Sequence, residues 1–334
     1  MQTIFLCLAC FLPLLISGAQ AAPLEYLSGA GEKAGPVVGL TWGVLLISLI
    51  VVVVIAALLA GAIWHRPGLL MEPGTRLPLS EGPDGTRWLW IGVGLTSFAL
   101  LFTVVWTVAV LARIEAPAKK TAVTIEVTGK QWWWQVRYLS DDPSRDFTTA
   151  NEIHIPAGEP VRLRLIGGDV IHSFWVPALT GKMDAIPGLT NETWLEADKP
   201  GVYRGQCTEY CGLQHAHMGF LVIAQSPSAF RRWWRHQLEA PADTRASADE
   251  AEFAAHCGGC HRVRGTSANG IVGPDLSHLM QRHMLAAATL RNSPSNLMHW
   301  ISDPQAIKPG SLMPDPELST RDRASILSYL ETLN

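Results

Sequence analysis

Two long apolar runs constrain this 334-residue chain more than any other feature. One extends from Val37 to Trp64 and the other from Trp88 to Leu111, and each has Trp near its ends. A helix needs about 20 apolar residues to cross a bilayer, where only helices and closed barrels satisfy their backbone polar groups. Trp is typical of the membrane interface. The runs therefore predict a transmembrane hairpin over residues 23–113, with a buried soluble hairpin as the alternative.

The N-terminus resembles an export signal. Residues 1–22, "MQTIFLCLACFLPLLISGAQAA", combine a short apolar stretch with the small-residue pattern Ala19-Gln20-Ala21. This pattern predicts a secretory signal peptide cut near Ala22, and an uncleaved membrane anchor is the alternative. Export of the N-terminus leaves the large C-terminal part outside the cell membrane as well. The net charge of −3 comes without the basic pattern that nucleic-acid binding requires.

The part of the chain after the spans changes character twice. Short alternating or β-branched runs come first, separated by Gly, Pro, Asn and Asp, and in "PVRLRLIG" the residues Val161, Leu163 and Leu165 alternate with two arginines. This alternation predicts a β-sandwich over residues 120–226. Beyond Pro227 the pattern turns helical, and "EAPADTRASADE" is a polar, Ala- and Pro-rich stretch. We assign residues 227–247 to a linker that leads into a small helical domain.

Four cysteines remain after the spans, in two tight pairs: Cys207 with Cys211, and Cys257 with Cys260. An oxidising compartment permits a disulfide in each pair. However, His261 completes "CGGCH", the attachment pattern of c-type haem, in which the thiols bind the vinyl groups and the His ligates iron. We therefore expect one covalent haem c in the last domain, with a redox-active disulfide as the alternative.

The second axial ligand of this haem should come from later in the chain. Met313 lies in "KPGSLMPDPEL", a Pro- and Gly-rich loop that can place its thioether over the haem face. Three other methionines have the spacing of helix residues, which is typical of core packing. The competing residues are Met280, Met284, Met298, His278, His283 and His299. We predict Met313.

The segment "CTEYCGLQHAHM", from Cys207 to Met218, concentrates soft metal ligands in one loop. Cys211, His215 and Met218 alone match a mononuclear blue-copper loop, which takes a second His from an earlier strand. The additional thiolate of Cys207 allows a second metal. With both sulfurs bridging, each copper takes one terminal His and a weak axial ligand such as Met218 or a backbone carbonyl.

The upstream His should end a strand near this loop. His172 in "VIHSFWVP" suits that role better than His154, whose neighbours form a plain alternation. The rival interpretation is tetrahedral zinc held by the two thiolates, His172 and His215. The Met218 thioether favours copper. His217 should point to the opposite face of a strand and not bind metal.

These segments together resemble subunit II of cytochrome c oxidase, in the bacterial form with a cytochrome c domain fused at its C-terminus. The resemblance covers nearly everything after residue 36: the hairpin, "GKQWWWQVRY", "HSFWVPALTGKMDAIPG", the copper loop and "CGGCH…GPDL…KPGSLMP". It implies a two-helix transmembrane hairpin, a cupredoxin-like Greek-key domain over 120–226 and an all-α cytochrome c domain over 248–334. Its location would be the bacterial inner membrane, multi-pass, with the C-terminal domains on the periplasmic side.

The resemblance also implies site residues. The binuclear copper A centre would be held by His172, Cys207, the backbone carbonyl of Glu209, Cys211, His215 and Met218. The Glu209 side chain would bind a magnesium ion shared with subunit I. Trp132 resembles the exposed tryptophan at which electrons enter, while Trp133 replaces the usual Tyr. Where relatives have a Glu at the start of the second span, this chain has "GTRWLWIG", so no proton-uptake role is transferred, although Glu81 and Asp84 lie nearby.

The implied function is electron transfer into a respiratory oxidase. Electrons from cytochrome c or from a quinol–cytochrome c reductase would pass through haem c and the two coppers to the haem of subunit I, where oxygen is reduced to water with proton translocation. Subunit III is a further expected partner. The alternatives are a nitric oxide reductase of the same superfamily, which turnover with each substrate separates, and a non-enzymatic copper-delivery protein, which needs neither two spans nor "CGGCH".

Overall fold

A computed structural model of the protein describes residues 24–65, 83–241 and 247–334. Within them, two long helices come first, a β-sandwich follows, and a small, mainly helical domain ends the chain. This order confirms the predicted fold class. The predicted signal peptide and Glu81 lie outside the described residues, and the side chain of Asp84 is not described either.

The two apolar runs form helices α1 (Ala34–His65) and α2 (Pro83–Ile114), each of 32 residues. At about 1.5 Å per residue, such helices are longer than the roughly 30 Å hydrocarbon core of a bilayer. In the most apolar stretch of each helix, 0% and 6% of the residues are buried. A core helix of a soluble protein is mostly buried, so length, composition and exposure together favour membrane-spanning helices.

The sandwich consists of two five-stranded sheets. The strands are β1 (Val123–Lys130), β2 (Trp133–Leu139), β3 (Phe147–Ala150), β4 (Glu152–Pro156), β5 (Val161–Gly167), β6 (His172–Trp175), β7 (Met183–Ala185), β8 (Thr190–Leu195), β9 (Gly201–Cys207) and β10 (Gly219–Gln225). One sheet has the order β3-β2-β1-β5-β8 and the other β4-β10-β9-β6-β7. On β5, Val161, Leu163 and Leu165 are fully buried, which confirms the predicted alternation.

Strand β4 departs from the predicted alternation, because all five of its residues are buried. One reason is helix α3 (Pro227–Leu238), whose Trp233 ring stacks on the ring of His154 with centroids 4.1 Å apart. The first half of the segment expected to be a linker is therefore a helix that covers the sandwich. Its Ser226 N-cap and its amphipathic face explain why this segment folds.

The last domain contains helices α4 (Ala248–His256), α5 (Pro294–Ser302), α6 (Pro304–Ile307) and α7 (Thr320–Glu331). Helix α4 packs on α7 through Phe253 and Tyr329, whose ring centroids are 5.1 Å apart. Met298 lies in α5, as predicted. The helical interpretation of Met280 and Met284 is wrong, because Met280 lies in a 3-10 turn and Met284 in the two-residue strand β11 (Met284–Leu285), paired with β12 (Leu290–Arg291).

Candidate metal centre

Two strand ends and one loop bring the predicted copper ligands together. His172 begins β6, Cys207 ends β9, and Met218 directly precedes β10. The amide of Cys207 donates to the carbonyl of Met218 at 3.0 Å, and that of Thr208 donates to the carbonyl of Ser173 at 3.1 Å. These backbone bonds close the loop over the end of the sheet, so the ligands converge without depending on flexible side chains.

The potential ligand atoms form one compact cluster. The Sγ atoms of Cys207 and Cys211 are 3.8 Å apart, well beyond disulfide bonding distance. His172 Nδ1 lies 3.9 Å from Cys207 Sγ, and His215 Nδ1 lies 3.6 Å from Cys211 Sγ. Met218 Sδ lies 3.7 Å from Cys211 Sγ. Each thiol therefore has its own imidazole, which is the arrangement expected for two bridging thiolates.

The main-chain oxygen of Glu209 also faces this cluster, 3.3 Å from Cys207 Sγ. Its side chain turns away and is half-exposed, with Oε2 4.0 Å from Lys182 Nζ. The main-chain carbonyl and the side-chain carboxylate of Glu209 therefore point in different directions. The carbonyl can face the thiols while the carboxylate contacts a different group.

Electrostatics at the cluster favour an ionised thiol next to a histidine. The hydrogen bond from the Cys211 thiol lowers the pKa of Cys207 to about 4. Burial alone would lower the pKa of His172, but hydrogen bonds to Cys207 and Asp169 outweigh it and leave that pKa raised. Because a metal binds the thiolate form of Cys, the site is disposed to release a proton on metal binding.

Asp169, which the sequence interpretation missed, orients His172. Its Oδ1 lies 2.8 Å from His172 Nε2, so Nδ1 faces the thiols. A carboxylate behind a ligating His fixes the ring and its tautomer. The signal available in the sequence was an Asp three residues before the His in "GGDVIH". Gly129 permits this packing, since a Cβ there would lie 2.6 Å from His172 Cδ2.

Two histidines near the cluster are not part of it. His154 is buried on β4 against Trp233, away from the thiols. His217 lies in a 3-10 turn with His215, and its Nδ1 is 2.8 Å from Gln214 Oε1. The expectation that His217 sits on a strand face is wrong, because the tight turn needed to bring His215 to the thiols does not continue a strand.

Trp132 contacts the copper loop directly, since its Nε1–H donates to the Cys211 carbonyl at 3.0 Å. The expectation that Trp132 is exposed is wrong, because only 8% of the residue is accessible. The backbone of Gly310, in the last domain, covers its ring: a Cβ at that position would lie 3.8 Å from Trp132 Cη2. The sequence of the sandwich alone could not reveal that a residue this far along the chain covers the Trp132 ring.

The haem-attachment segment begins where α4 ends. His261 Nδ1 lies 2.9 Å from the carbonyl oxygen of Pro274, which leaves Nε2 free to ligate iron. Burial lowers the pKa of His261, which favours the neutral, ligating form. A Cβ at Gly273 would lie 2.6 Å from His261 Cε1, so the chain can pass the ring only as glycine. The donor set of Cys257, Cys260 and His261 fits a covalent haem.

Met313 lies in the irregular segment between α6 and α7, as predicted. Gln305 Nε2 donates to the Met313 carbonyl at 2.7 Å and also to the carbonyl of Ser311 at 3.0 Å. These two bonds fix the loop backbone while leaving the thioether free to act as a ligand.

Two family descriptions match the chain, each over one domain. "Cytochrome C oxidase subunit II, periplasmic domain" matches residues 123–225, and "Cytochrome c" matches residues 250–334. The first domain implies copper A and the second implies haem c. The cluster around Cys207 and the His261 segment, respectively, have the donors that these groups require.

Similar proteins carry the same description. Cytochrome c oxidase subunit 2 of Alkalihalophilus pseudofirmus is 42% identical over 216 residues, covering 63% of this chain and 61% of the relative. The corresponding subunit of Bacillus sp. strain PS3 is 34% identical, covering 58% of this chain and 57% of the relative. The chain therefore spans less than two thirds of the length of these relatives.

A solved structure also resembles the chain. The periplasmic domain of subunit II of cytochrome oxidase from Bradyrhizobium japonicum is 35% identical, with a TM-score of 0.33, and the match covers 36% of this chain and 96% of that one. The chain therefore contains a domain at residues 123–225 that matches the periplasmic domain of cytochrome c oxidase subunit II, followed by a domain at residues 250–334 that matches cytochrome c.

Proposed function

We propose that this chain is the subunit through which electrons enter a haem–copper oxidase. It takes electrons from cytochrome c or from a quinol–cytochrome c reductase and delivers them to the haem of subunit I, where oxygen is reduced to water with proton translocation. The observation that carries the proposal is the convergence of two thiols, two imidazoles and a thioether, contributed by the Cys207–Met218 loop and by His172 at the start of β6.

Six groups would hold a pair of copper ions. These are the thiolates of Cys207 and Cys211, the Nδ1 atoms of His172 and His215, the Met218 thioether and the Glu209 carbonyl. Tetrahedral zinc would bind four of these donors and leave the Met218 thioether unbound. Soft thiolate and thioether donors select copper, so the complete set supports copper over zinc.

When bound, such a pair supplies a one-electron relay. The protein holds the ligands rigidly and excludes water from them. His172, Cys207 and Met218 are at most 1% exposed, and their backbones belong to strand ends or are bonded to them. Trp134 packs beneath, with its ring centroid 5.9 Å from that of His172. Ligands held in this way shift little when charge changes, which lowers the reorganisation cost of electron transfer.

Cys257 and Cys260 would bind haem c covalently, with His261 and Met313 as axial ligands. Trp132 would carry electrons toward the copper loop, since its indole N–H is bonded to the Cys211 carbonyl. The Glu209 carboxylate would bind magnesium shared with subunit I, and its exposed direction away from the thiols supports that division.

The proposed location is the bacterial inner membrane. The helices α1 and α2 would form the multi-pass anchor, with the sandwich and the cytochrome domain on the periplasmic side. Subunit I, and also subunit III, would be the membrane partners. Two exposed apolar helices of 32 residues support this arrangement.

A thiol substitution tests the copper assignment. In Cys211→Ser, one bridging sulfur is lost, so we expect the mixed-valence copper signal in the electron paramagnetic resonance spectrum to disappear while the haem c absorbance remains. Thr208→Ala, in the same loop but without a ligand atom, is the matched control and should keep both signals. A normal binuclear copper spectrum in Cys211→Ser would refute the assignment.

A further inference from the structure

The cytochrome c domain of this chain lies against the copper loop. We define the copper-loop face as Trp132, Leu213, Gln214 and Gly219 together with the Cys211 carbonyl. Two segments of the cytochrome domain contact this face or its surroundings: residues 282–288 and residues 308–310. Their contacts are specific hydrogen bonds, several of them buried.

Lys308 makes the most unusual of these contacts. It is the only lysine in residues 247–334, and only 3% of it is exposed. Its Nζ donates to the Trp132 carbonyl at 2.6 Å and to the Ala286 carbonyl at 3.4 Å. In the part of the chain that the structure describes, no carboxylate lies within 4.0 Å of this Nζ. Its hydrogen-bond partners are therefore main-chain oxygens, one of them on the copper-loop face.

The next two residues continue the contact. Gln214, 5% exposed, donates from Nε2 to the Pro309 carbonyl at 2.9 Å. Gly310 has a φ of +81°, and a Cβ there would lie 3.1 Å from Leu213 Cδ2. Only glycine adopts this backbone conformation freely, and it also avoids a tight contact with the Leu213 side chain. The Lys-Pro-Gly segment therefore fits closely over Trp132.

A second anchor lies at the other end of the interface. Glu152, 2% exposed, accepts hydrogen bonds from the backbone amides of His283 at 2.6 Å and Met284 at 2.9 Å. Beside the metal ligand Met218, the amide of Gly219 donates to the Ala287 carbonyl at 3.1 Å. Polar groups of the two domains thus pair with each other at both ends of the contact.

We propose that the copper-loop face is the docking surface for this chain's own cytochrome c domain, that Lys308 is the residue that holds the domain in place, and that a separate electron-donor protein therefore cannot reach Trp132. The docking itself follows from the contacts alone, while its meaning for electron flow rests on the proposed function. Donors from outside would then have to react at the cytochrome domain.

The energetics support an anchoring role for Lys308. Burying a cation is costly unless its protons are hydrogen-bonded, so an isolated lysine would not be retained here without its carbonyl partners. Conversely, removing the ammonium leaves the Trp132 carbonyl buried without this donor. An unsatisfied buried acceptor carries its full desolvation penalty, which favours separation of the two domains.

Radical footprinting of the full chain in the oxidase complex tests the proposal. Oxidation of Trp132 is compared with that of half-buried Trp133 and fully buried Trp134 in the same sample. In the wild type, Trp132 should be protected nearly as well as Trp134. In Lys308→Met, which keeps the length and removes the hydrogen-bond donors, the open population exposing Trp132 should rise by roughly tenfold or more, as expected when a buried carbonyl loses its donor.

Lys199→Met, at an exposed lysine away from the interface, is the matched control and should leave Trp132 protected. Glu152→Gln weakens the second anchor, so it should raise Trp132 oxidation as well. If Trp134 loses its protection in Lys308→Met, that variant is misfolded, and Glu152→Gln then provides the test. Equal oxidation of Trp132 and Trp133 in the wild type would overturn the docking. An unchanged footprint in a folded Lys308→Met would overturn the role of Lys308.

The same samples separate this inference from the proposed function. Copper and haem c spectra are recorded before footprinting. If the wild type binds neither group while Trp132 is protected, the proposed function fails and the docking stands. If both spectra are normal and Trp132 is unprotected, only the docking fails.

Discussion

The carboxylate of Asp169 links the predicted metal ligand His172 to Gln131, the residue that precedes Trp132. Its Oδ1 lies 2.8 Å from His172 Nε2, and its Oδ2 accepts the backbone amide of Gln131 at 2.6 Å. The side chain of Gln131 in turn donates to the Cys211 carbonyl at 2.7 Å. Three hydrogen bonds therefore connect the ligand from β6 with the ligand loop, and a shift at either place is transmitted to the other.

At the residue scale, the axial ligand of haem c is testable. Met313→Ala should keep the covalent haem but lose the weak sulfur-to-iron absorption band in the far red, lower the reduction potential and let carbon monoxide bind ferrous iron, because a thioether favours the ferrous state. The control is Met298→Ala on α5, which should cost stability with little spectral change. Loss of the band in the control and its retention in Met313→Ala would assign the ligand to Met298.

The predicted ligands of the copper loop came from spacing, because four of them lie within one short segment whose residue types are themselves informative. Gln214 and Lys308 could not be found in this way. Each is an ordinary polar residue by composition, and only the folded chain gives it a partner, 95 residues away for Gln214 and 176 for Lys308. Long-range pairing leaves no periodic trace in the sequence.

At the element scale, the pattern of apolar residues predicted the two long helices and the alternating burial on β5. In each of these elements, that pattern reflects the immediate surroundings of the element itself. It also indicated the helical pattern after Pro227, but it was wrong for β4. The outer face of β4 is covered by Trp233 of α3 and, at Glu152, by the cytochrome domain. A strand covered on both faces no longer alternates, and nothing in "NEIHIP" shows which later element will cover it.

The segment after β11 contains three consecutive alanines in the left-handed region, with φ of 50° at Ala286, 57° at Ala287 and 59° at Ala288. Each left-handed non-glycine residue costs about 1–2 kcal/mol. The carbonyls of Ala286 and Ala287 accept hydrogen bonds from Lys308 and Gly219. This segment is thus in a strained conformation that presents its carbonyls to both domains.

Replacing one of these alanines with glycine should therefore stabilise the protein. For Ala286→Gly, relief of the left-handed strain outweighs the extra flexibility of the unfolded chain, and we expect a gain of about 0.5–1 kcal/mol in the free energy of unfolding of the cytochrome domain, measured by urea titration of haem absorbance. Ala251→Gly, exposed in the middle of α4, is the control and should lose about 1 kcal/mol. Equal losses in both variants would contradict the strain argument.

At the scale of the whole molecule, docking of the two domains should depend on pH at both ends of their contact. Burial lowers the pKa of Lys308 to about 7, so this residue favours docking as the pH rises. An ion pair at the other end has the opposite effect. His283 Nδ1 lies 3.1 Å from Glu152 Oε2. The hydrogen bond to Glu152 raises the pKa of His283 above its ordinary 6.5. Protonated His283 therefore stabilises the docked arrangement fully below pH 6.5, and this contribution is lost as the pH rises through the raised pKa. His154 and Arg282 also face Glu152, and Arg282 stays charged throughout.

We accordingly compare the wild type with His283→Gln, which keeps a hydrogen-bond donor without the titration. As the pH rises from about 6 to 8, the reactivity of Trp132 toward radicals, relative to Trp133, should rise more in the wild type than in the variant, by a modest amount because His283 is half-exposed. An identical pH profile in wild type and variant would show that another group is responsible.

The position of the cytochrome domain over Trp132 also has a kinetic consequence. Under the proposed function, the electron donor is covalently attached and already docked, so electron transfer across this contact would need no encounter step. Its rate should then be first-order and independent of protein concentration. Salt slows the association of separate charged proteins by screening their approach. Here that approach has been replaced by a contact within one polypeptide, and ionic strength should act only where an outside donor meets the cytochrome domain.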